Sequence, residues 1–201
     1  MSDEHYFSAD PAVTFKRAPV RATVWGHDLD LTSGSGVFAQ GRLDVGTAVL
    51  FRETDPPTEG STYLDLGCGY GVIGLALARS RPAARVWGVD VNERAVLLAN
   101  ENAAALGVDD RYTATTPAGV PDDLRLDEIW SNPPIRIGKD ALHALLLTWL
   151  PRLAPGGRAV MVVGKNLGAD SLQRWLADAL DRPVERTASA KGFRVLTVRE
   201  P

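Results

Sequence analysis

The sequence is poor in the residues that build metal centres and disulfides. It contains one cysteine, Cys68, and three histidines among 201 residues. A single cysteine excludes an internal disulfide, and none of these side chains falls at the spacing of a metal-ligand motif. We therefore expect no metal site, and a reducing, cytoplasmic environment.

Long apolar runs and a strong excess of one charge are also missing. No apolar stretch approaches the roughly 20 residues of a membrane-spanning helix. The first residues include Asp3, Glu4 and His5 and do not resemble a signal peptide, so we expect no membrane association. The formal net charge of −3 excludes a global attraction to nucleic acid but allows a local basic patch.

Glycine is concentrated where an apolar strand is predicted to turn into a helix. The stretch from Thr62 to Gly74 predicts a strand, a loop with glycines at three alternating positions, and the start of a helix. Gly67, Gly69 and Gly71 let the backbone turn with positive φ and leave no Cβ between it and a ligand. Such a loop binds a nucleotide-like cofactor, because the first amides of the helix face the ligand.

Two cofactor classes fit this loop. The run from Gly69 to Gly74 matches the dinucleotide fingerprint, with Asp90 at about the distance of a ribose-binding acid. Asp65 before the first glycine matches instead the Asp-x-Gly-x-Gly loop of S-adenosylmethionine enzymes. The turn 132–134, which is Asn-Pro-Pro after an apolar run, favours the second class. Amino-group methylation uses such a turn, whereas hydride transfer does not need one.

Strands and helices alternate after residue 60, which predicts an α/β fold with a doubly wound, mostly parallel sheet. Residues 1–60 predict a β-hairpin and a helix that form a small N-terminal appendage, and residues 61–201 predict the main domain of one structural unit. The predicted strands lie at 62–66, 85–89, 111–115, 126–130, 158–163, 184–188 and 193–198, the last two as an antiparallel hairpin. The predicted helices begin near 48 and cover 72–79, 93–106, 139–150 and 171–180.

Two acids at strand ends are candidate cofactor ligands. Asp65 would hold the glycine loop and order water or the cofactor's ammonium group, and a turn-capping role is the alternative. Asp90 would accept hydrogen bonds from both ribose hydroxyls. Its alternative role is to cap the next helix, for which Asn92 is better suited. Residues 116–120 contain no acid, so we expect backbone amides and apolar packing to hold the adenine.

The turn formed by Asn132, Pro133 and Pro134 is the candidate catalytic element. An amino group on a purine ring is a poor nucleophile because its lone pair is delocalised into the ring. The Asn132 side-chain oxygen and the Pro133 carbonyl would each accept one N–H and aim the lone pair at the methyl group. Two prolines stiffen such a turn. The alternative is a rigid turn with a capping asparagine.

Four further residues are candidate substrate ligands. Arg136 and Lys139 follow the turn directly and would contact substrate phosphates, or else are solvated charges at a helix start. Phe38 and Phe193 would stack on an extruded base, although core packing is the commoner role of a phenylalanine.

Together these motifs resemble the small-domain class I methyltransferases, a Rossmann-like family. Within it, the chain is similar to single-domain relatives of the RsmC type of enzyme. The RsmC type itself methylates the exocyclic amino group of a guanine in 16S ribosomal RNA. The matching stretches are 5–8, 36–38, 43–47, 65–71, 90–95, 132–139 and 191–196.

The resemblance implies methyl transfer from S-adenosylmethionine to a guanine amino group, with ribosomal RNA or the small ribosomal subunit as partner. Methylation of a protein glutamine or a small molecule, nicotinamide-dependent redox chemistry, and a non-catalytic RNA-binding role stay open as alternatives. Ile135 replaces the aromatic residue that many Asn-Pro-Pro enzymes stack on the target. Either Ile135 would bind the substrate by apolar contact, or the stacking would come from another residue. The implied cofactor residues are Asp65, Gly67, Cys68, Gly69, Gly71, Asp90, Val91 and Asn132, with Gly46 and Thr47 beside the methionine end.

Overall fold

The alternating apolar runs become strands of two sheets in the computed structural model, which describes residues 14–201. The predicted stretch 5–8 lies outside the described residues. The first two strands form a separate antiparallel hairpin, and the other seven form one sheet. The strands are β1 (Arg17–Val24), β2 (His27–Gly34), β3 (Thr62–Leu66), β4 (Arg85–Val89), β5 (Tyr112–Thr115), β6 (Leu126–Ser131), β7 (Leu153–Gly164), β8 (Val184–Ala190) and β9 (Phe193–Arg199).

The seven-stranded sheet has the order β5–β4–β3–β6–β7–β9–β8. The first five strands of this order run parallel, and β9 is antiparallel to both of its neighbours. This confirms the predicted doubly wound sheet with its terminal antiparallel hairpin. The helices are α1 (Val45–Glu53), α2 (Val72–Ser80), α3 (Glu93–Ala105), α4 (Lys139–Trp149) and α5 (Ala169–Leu180). No helix within residues 14–201 is long and apolar enough to cross a membrane.

The alternation of side chains along each strand gives the sheet two apolar faces. Tyr63 of β3 packs with the β-hairpin, α1, α2 and α3, and its neighbour Leu64 packs with α4 and α5 on the opposite face. In β6, Trp130 and Ile129 divide between the same two clusters. The boundary at residue 60 stays a prediction. Segments on both sides of it contribute side chains to the first cluster.

The alternating runs 21–25 and 28–31 flank Gly26 and His27 and predict the hairpin turn there. The hairpin turns one residue earlier, at Trp25 and Gly26. Both residues have positive φ, at 49° and 82°, as a two-residue turn of the I′ type requires. His27 instead pairs with Val24 in the ladder. The buried Asn102 of α3 docks the hairpin, because its side chain exchanges two hydrogen bonds with the Thr32 backbone at 2.7 and 2.9 Å.

Strand β7 begins five residues before the predicted start at 158. Leu153 pairs with Leu126, and the next register pair joins Arg158 to Glu128, so the intervening Pro-Gly-Gly segment forms a bulge within the strand. A Cβ on Gly157 would lie 2.8–3.1 Å from three backbone carbonyl oxygens. Pro-Gly-Gly at 155–157 predicts a turn that precedes the strand. In the structure these residues lie inside the strand, and Gly157 permits close backbone approach.

The strand order reverses between β3 and β6, and this places the two main motifs side by side. Asp65 is in register with Trp130, so both strands end at the same edge of the sheet. The Ser131 hydroxyl donates a 2.6 Å hydrogen bond to the Leu66 carbonyl and ties these ends together. The glycine loop after β3 and the Asn-Pro-Pro turn after β6 therefore flank one crevice.

Gly88 in β4 allows the floor of this crevice to close. A Cβ on Gly88 would lie 2.3 Å from the Tyr112 hydroxyl and 3.2 Å from the Cys68 sulfur. We expect Gly88→Ala to lower the free energy of unfolding by about 1–3 kcal/mol through overpacking. Chemical denaturation of Gly88→Ala, Tyr112→Phe and the double variant checks this. The double variant should recover part of the loss, and a simple sum of the two single effects would contradict the steric explanation.

Candidate active site

The glycine loop is held against the end of β4 by backbone hydrogen bonds. The amides of Gly67 and Cys68 both donate to the Val89 carbonyl, at 2.8 and 3.0 Å. Gly67, Gly69 and Gly71 all have positive φ, at 73°, 54° and 92°. The predicted need for glycine at these three positions is therefore confirmed in the backbone.

Asp65 is a buried carboxylate with one oxygen committed to the protein. Its Oδ2 accepts a 2.8 Å hydrogen bond from the Gly74 amide in the first turn of α2. Across residues 14–201, no hydrogen-bond donor reaches its Oδ1. Burial raises the pKa of Asp65 to about 7, the Gly74 bond opposes this rise, and the Asp90 charge adds to it. A buried carboxylate oxygen without a donor is costly to leave unpaired.

Asp90 ties the glycine loop to the start of α3. Its Oδ2 accepts from the Gly69 amide and its Oδ1 from the Asn92 amide, both at 2.9 Å. Burial raises the pKa of Asp90, and the backbone bonds oppose that rise. The Val91 backbone also favours the ionised carboxylate, and the lone pair that these backbone groups leave unused can still accept from a ligand hydroxyl. Asn92 is the N-cap of α3, as predicted, because its side chain accepts from the Arg94 amide at 3.0 Å.

The side of the crevice beyond Asp90 is apolar and exposed. Val91 is 47% exposed, which is unusual for a large aliphatic side chain next to a buried strand end. Residues 117–119 form a 3-10 turn nearby, and a Cβ on Gly119 would lie 2.0 Å from the Thr115 hydroxyl oxygen. This surface offers a flat apolar ligand group a contact without an acid.

Cys68 lies in the glycine loop but is not placed as a nucleophile. The residue is 5% exposed, and burial raises the pKa of its thiol well above the usual value. A buried, protonated thiol is a poor nucleophile. The geometry agrees with the interpretation of Cys68 as a small residue tolerated in a tight turn.

Asn132 is oriented by two acceptors from the N-terminal part of the chain. Its Nδ2 donates to Asp44 Oδ2 at 2.8 Å and to Thr47 Oγ1 at 3.0 Å. Because both amide hydrogens are used, the side-chain oxygen faces away from these partners. Gly46 borders this contact closely, since a Cβ there would lie 3.4 Å from Asn132 Nδ2.

The two prolines form a tight turn after Asn132. Pro134 has φ −75° and ψ 72°, and the Ile135 amide donates a 2.8 Å hydrogen bond to the Pro133 carbonyl. These values define an inverse γ-turn. One lone pair of the Pro133 carbonyl is therefore already used, and the second is left for a ligand.

The two aromatic candidates, Phe193 and Phe38, lie in different surroundings. The Phe193 ring is half-buried and its Cε1 would lie 2.9 Å from a Cβ on Gly46, which places it beside the asparagine. Phe38 is 44% exposed, and the buried Val37 before it would lie 4.0 Å from a Cβ on Gly69. The structure thus places the Phe193 ring beside the asparagine, whereas the Phe38 side chain is exposed on the loop that follows Val37.

The residues after the prolines lie on the outer edge of the crevice. Ile135 and Arg136 belong to a 3-10 turn, half-buried and exposed respectively. Lys139 is the exposed first residue of α4. Sequence reasoning did not assign a site role to Asp44, whose spacing to Thr47 signals only a helix cap.

The chain matches the methyltransferase small domain family over residues 28–197. It belongs to that family. Family membership makes it a methyltransferase with S-adenosylmethionine as methyl donor, which confirms the predicted enzyme class and donor. Nicotinamide-dependent redox chemistry, the rival interpretation of the glycine loop, is thereby set aside.

Several relatives of this methyltransferase carry informative names. It is 33% identical to the uncharacterized protein YbxB of Bacillus subtilis over 98% of both chains. It is 36% identical to ribosomal RNA small subunit methyltransferase C of Pseudomonas paraeruginosa, covering 87% of this chain and 52% of that one. The chain thus spans about half the length of the ribosomal RNA methyltransferases that it matches.

A solved structure supports the same fold. The T. thermophilus 16S rRNA N2 methyltransferase RsmC, in complex with AdoMet and guanosine, superposes with a TM-score of 0.81 at 24% identity. The match covers 96% of this chain and 53% of that one. At this identity the likeness shows the Rossmann-like methyltransferase fold.

We expect Asp90→Ala to weaken binding of S-adenosylmethionine by about 1–3 kcal/mol, because charge-assisted hydrogen bonds to the ribose are lost. The Gly69 amide also loses its acceptor, so the loop should become more mobile. Isothermal titration calorimetry with the donor and with S-adenosylhomocysteine measures the change. Unchanged affinity for both ligands would contradict the ribose role of Asp90.

Proposed function

We propose that this cytoplasmic methyltransferase modifies the exocyclic amino group of a guanine in small-subunit ribosomal RNA. The observation that carries the proposal is the orientation of Asn132. Its amide hydrogens are held by Asp44 and Thr47, so its oxygen faces away from these two partners. It would then be free to accept a hydrogen bond from a substrate. An amino group is a double N–H donor and is the complement of such a site.

The glycine loop and its two acids fit the methyl donor. Asp65 Oδ1 would accept from the ammonium group, the spare lone pair of Asp90 would accept from the ribose hydroxyls, and Val91 would cover one face of the adenine. Gly46 and Thr47 would border the methionine end. When bound, the donor supplies an electrophilic methyl group on a sulfonium centre.

The Asn-Pro-Pro turn would activate the amino nitrogen that receives the methyl group by orienting it, without a general base. Asn132 Oδ1 and the free lone pair of the Pro133 carbonyl would each accept one N–H and turn the nitrogen lone pair out of conjugation with the ring. The inverse γ-turn at Pro134 fixes the angle between these two acceptors. The amino proton becomes acidic only after methyl transfer, so no general base is needed before that step.

The aromatic and basic residues at the crevice would select a nucleotide. Phe193 stands close enough to Asn132 to stack on an extruded base in place of Ile135, which contributes apolar contact. Phe38 would flank the opening on the other side. Arg136 and Lys139 would contact phosphates of the same strand.

The substrate part of this proposal is supported by what the relatives of this chain are. Matched proteins include ribosomal RNA methyltransferases of the small and large subunits. Because the chain spans about half of those proteins, the RNA and the nucleotide it recognises are our proposal. We further propose that residues 1–60 act as an appendage that supplies Gly46 and Thr47 to the site.

The proposal is tested by transfer of labelled methyl groups to three acceptors from cells that lack the protein. These acceptors are purified 30S subunits, naked 16S RNA and an RNA-free protein extract. We expect the label to appear in RNA. The amounts of label in 30S subunits and in naked 16S RNA will differ according to which of the two the enzyme recognises. Label confined to protein would overturn the RNA substrate in favour of a glutamine, and binding of RNA without any transfer would indicate a non-catalytic factor.

A further inference from the structure

Asp44 joins the start of α1 to the Asn-Pro-Pro turn, 88 residues further along the chain. As the N-cap of α1, its Oδ2 accepts a 3.1 Å hydrogen bond from the Thr47 amide. The same oxygen accepts from Asn132 Nδ2 at 2.8 Å. One carboxylate oxygen therefore serves both the helix start and the asparagine.

A carboxylate fixes which end of the asparagine amide faces it. Ionised Asp44 can only accept hydrogen bonds, whereas an asparagine presents a donor on one side and an acceptor on the other. If Asn132 rotated by 180°, its oxygen would face the carboxylate oxygen and its N–H groups would face the substrate. That arrangement repels an amino group, which is itself a donor.

We propose that Asp44 is the positioning residue that holds Asn132 in the amide orientation required for methyl transfer. The inference deepens the proposed function and rests on it. Thr47 Oγ1 supports the same orientation, but a hydroxyl can donate as well as accept, so it does not select the orientation alone. The charge of Asp44 provides the selection.

The negative charge also strengthens the acceptor. A hydrogen bond from Asn132 Nδ2 to a carboxylate polarises the amide and increases the electron density on its oxygen. Methyl transfer builds positive charge on the accepting nitrogen and its N–H groups. The polarised oxygen stabilises this charge more strongly than it stabilises the neutral amino group. Loss of the Asp44 charge should therefore lower mainly kcat.

Two substitutions separate this role from helix capping. Asp44→Ser keeps a good N-cap but is too short to reach Asn132. Asp44→Asn keeps an oxygen acceptor in place and removes the charge. We expect Asp44→Ser to lower kcat by about 10–100-fold with little change in KM or donor affinity. Asp44→Asn should recover only a small part of that loss, because its amide can face Asn132 with either its oxygen or its nitrogen. Both variants should unfold at a similar temperature to the parent.

A second readout needs no RNA. The side-chain amide of Asn132, assigned by its loss in Asn132→Ala, should show slow hydrogen exchange and a distinct chemical shift in the parent protein. Asp44→Ser should speed the exchange and move the resonance, while Asp44→Asn, which keeps an acceptor within reach but not the charge, should retain only part of the protection. If exchange, resonance and kcat are all unchanged in Asp44→Ser, Asp44 does not position the asparagine.

The two readouts also distinguish this inference from the proposed function. A parent protein without activity on any RNA would refute the guanine substrate, and the amide exchange would still decide whether Asp44 orients Asn132. An active parent with an active, folded Asp44→Ser variant would refute the positioning role alone.

Discussion

Asn132→Ala is expected to lower kcat for methyl transfer by about 10²–10³-fold, comparable to the loss of one preorganised hydrogen-bonding group in other active sites. The substitution removes the acceptor that aims the amino group and leaves the glycine loop, Asp65 and Asp90 in place. Donor affinity should therefore change little. Single-turnover kinetics on RNA and calorimetry with S-adenosylhomocysteine measure the two quantities separately.

Asn132→Asp is a second variant at the same position, and it tests the contact with Asp44. It keeps two acceptor oxygens, but one of them would face Asp44 Oδ2, which lies 2.8 Å from the present amide nitrogen. Like charges at this distance repel, so we expect Asn132→Asp to be nearly as inactive as Asn132→Ala. An active Asn132→Asp variant, or an equal loss of donor affinity in Asn132→Ala and Asp90→Ala, would contradict the assigned division of roles.

The second large effect concerns Asp65 and the pH dependence of stability. The carboxyl has a pKa of about 7 in the folded protein because it is buried, against about 3.9 in an unfolded chain. Between these values only the unfolded chain releases the proton, so folding stability falls as pH rises from about 4 to about 7 and is constant above that. This loss is on the order of 2–4 kcal/mol for one such group.

Asp65→Asn should remove much of that slope in the ligand-free protein. Its side-chain oxygen can still accept from the Gly74 amide, so the α2 contact is retained. Urea unfolding at several pH values measures the slope. Asp181→Asn is the matched control, because residue 181 is exposed with a left-handed φ of 50°, which asparagine adopts readily.

The same variant should bind the methyl donor at least about tenfold more weakly, because a charge-assisted hydrogen bond to the ammonium group is lost. Asp65→Asn would then be more stable at pH 8 and less able to bind its ligand. An unchanged pH slope would contradict the raised pKa of Asp65, and an unchanged affinity would contradict its role in binding the ammonium group.

The parts of the fold that depend on local residue patterns could be predicted from the sequence. The strands at 62–66 and 85–89 have the predicted bounds, and Asn92 caps α3 as its residue type suggests. The crevice between the glycine loop and the Asn-Pro-Pro turn was also predictable, since parallel strand ends meet at one edge of the sheet. These features depend on hydrophobic periodicity and on neighbours close in sequence.

The features that were missed depend on contacts distant in sequence or on exact backbone angles. Asp44 looks like an ordinary helix cap until the fold brings Asn132 within 2.8 Å of it. The bulge in β7 brings the Gly157 backbone close to carbonyl oxygens of β6 and of β7 itself, which no local pattern reveals. The Pro134 turn was expected to present a carbonyl, but its internal hydrogen bond to Ile135 was not foreseen.

In the proposed reaction the methyl group is transferred to the amino nitrogen of a guanine, and Asn132 activates that nitrogen. The most direct measurement is nucleoside analysis of 30S subunits after incubation with labelled donor and either the parent protein or Asn132→Ala. We predict labelled N2-methylguanosine with the parent and almost none with Asn132→Ala. Label on a ring nitrogen, on a ribose or on protein, or equal label from the two proteins, would contradict the account.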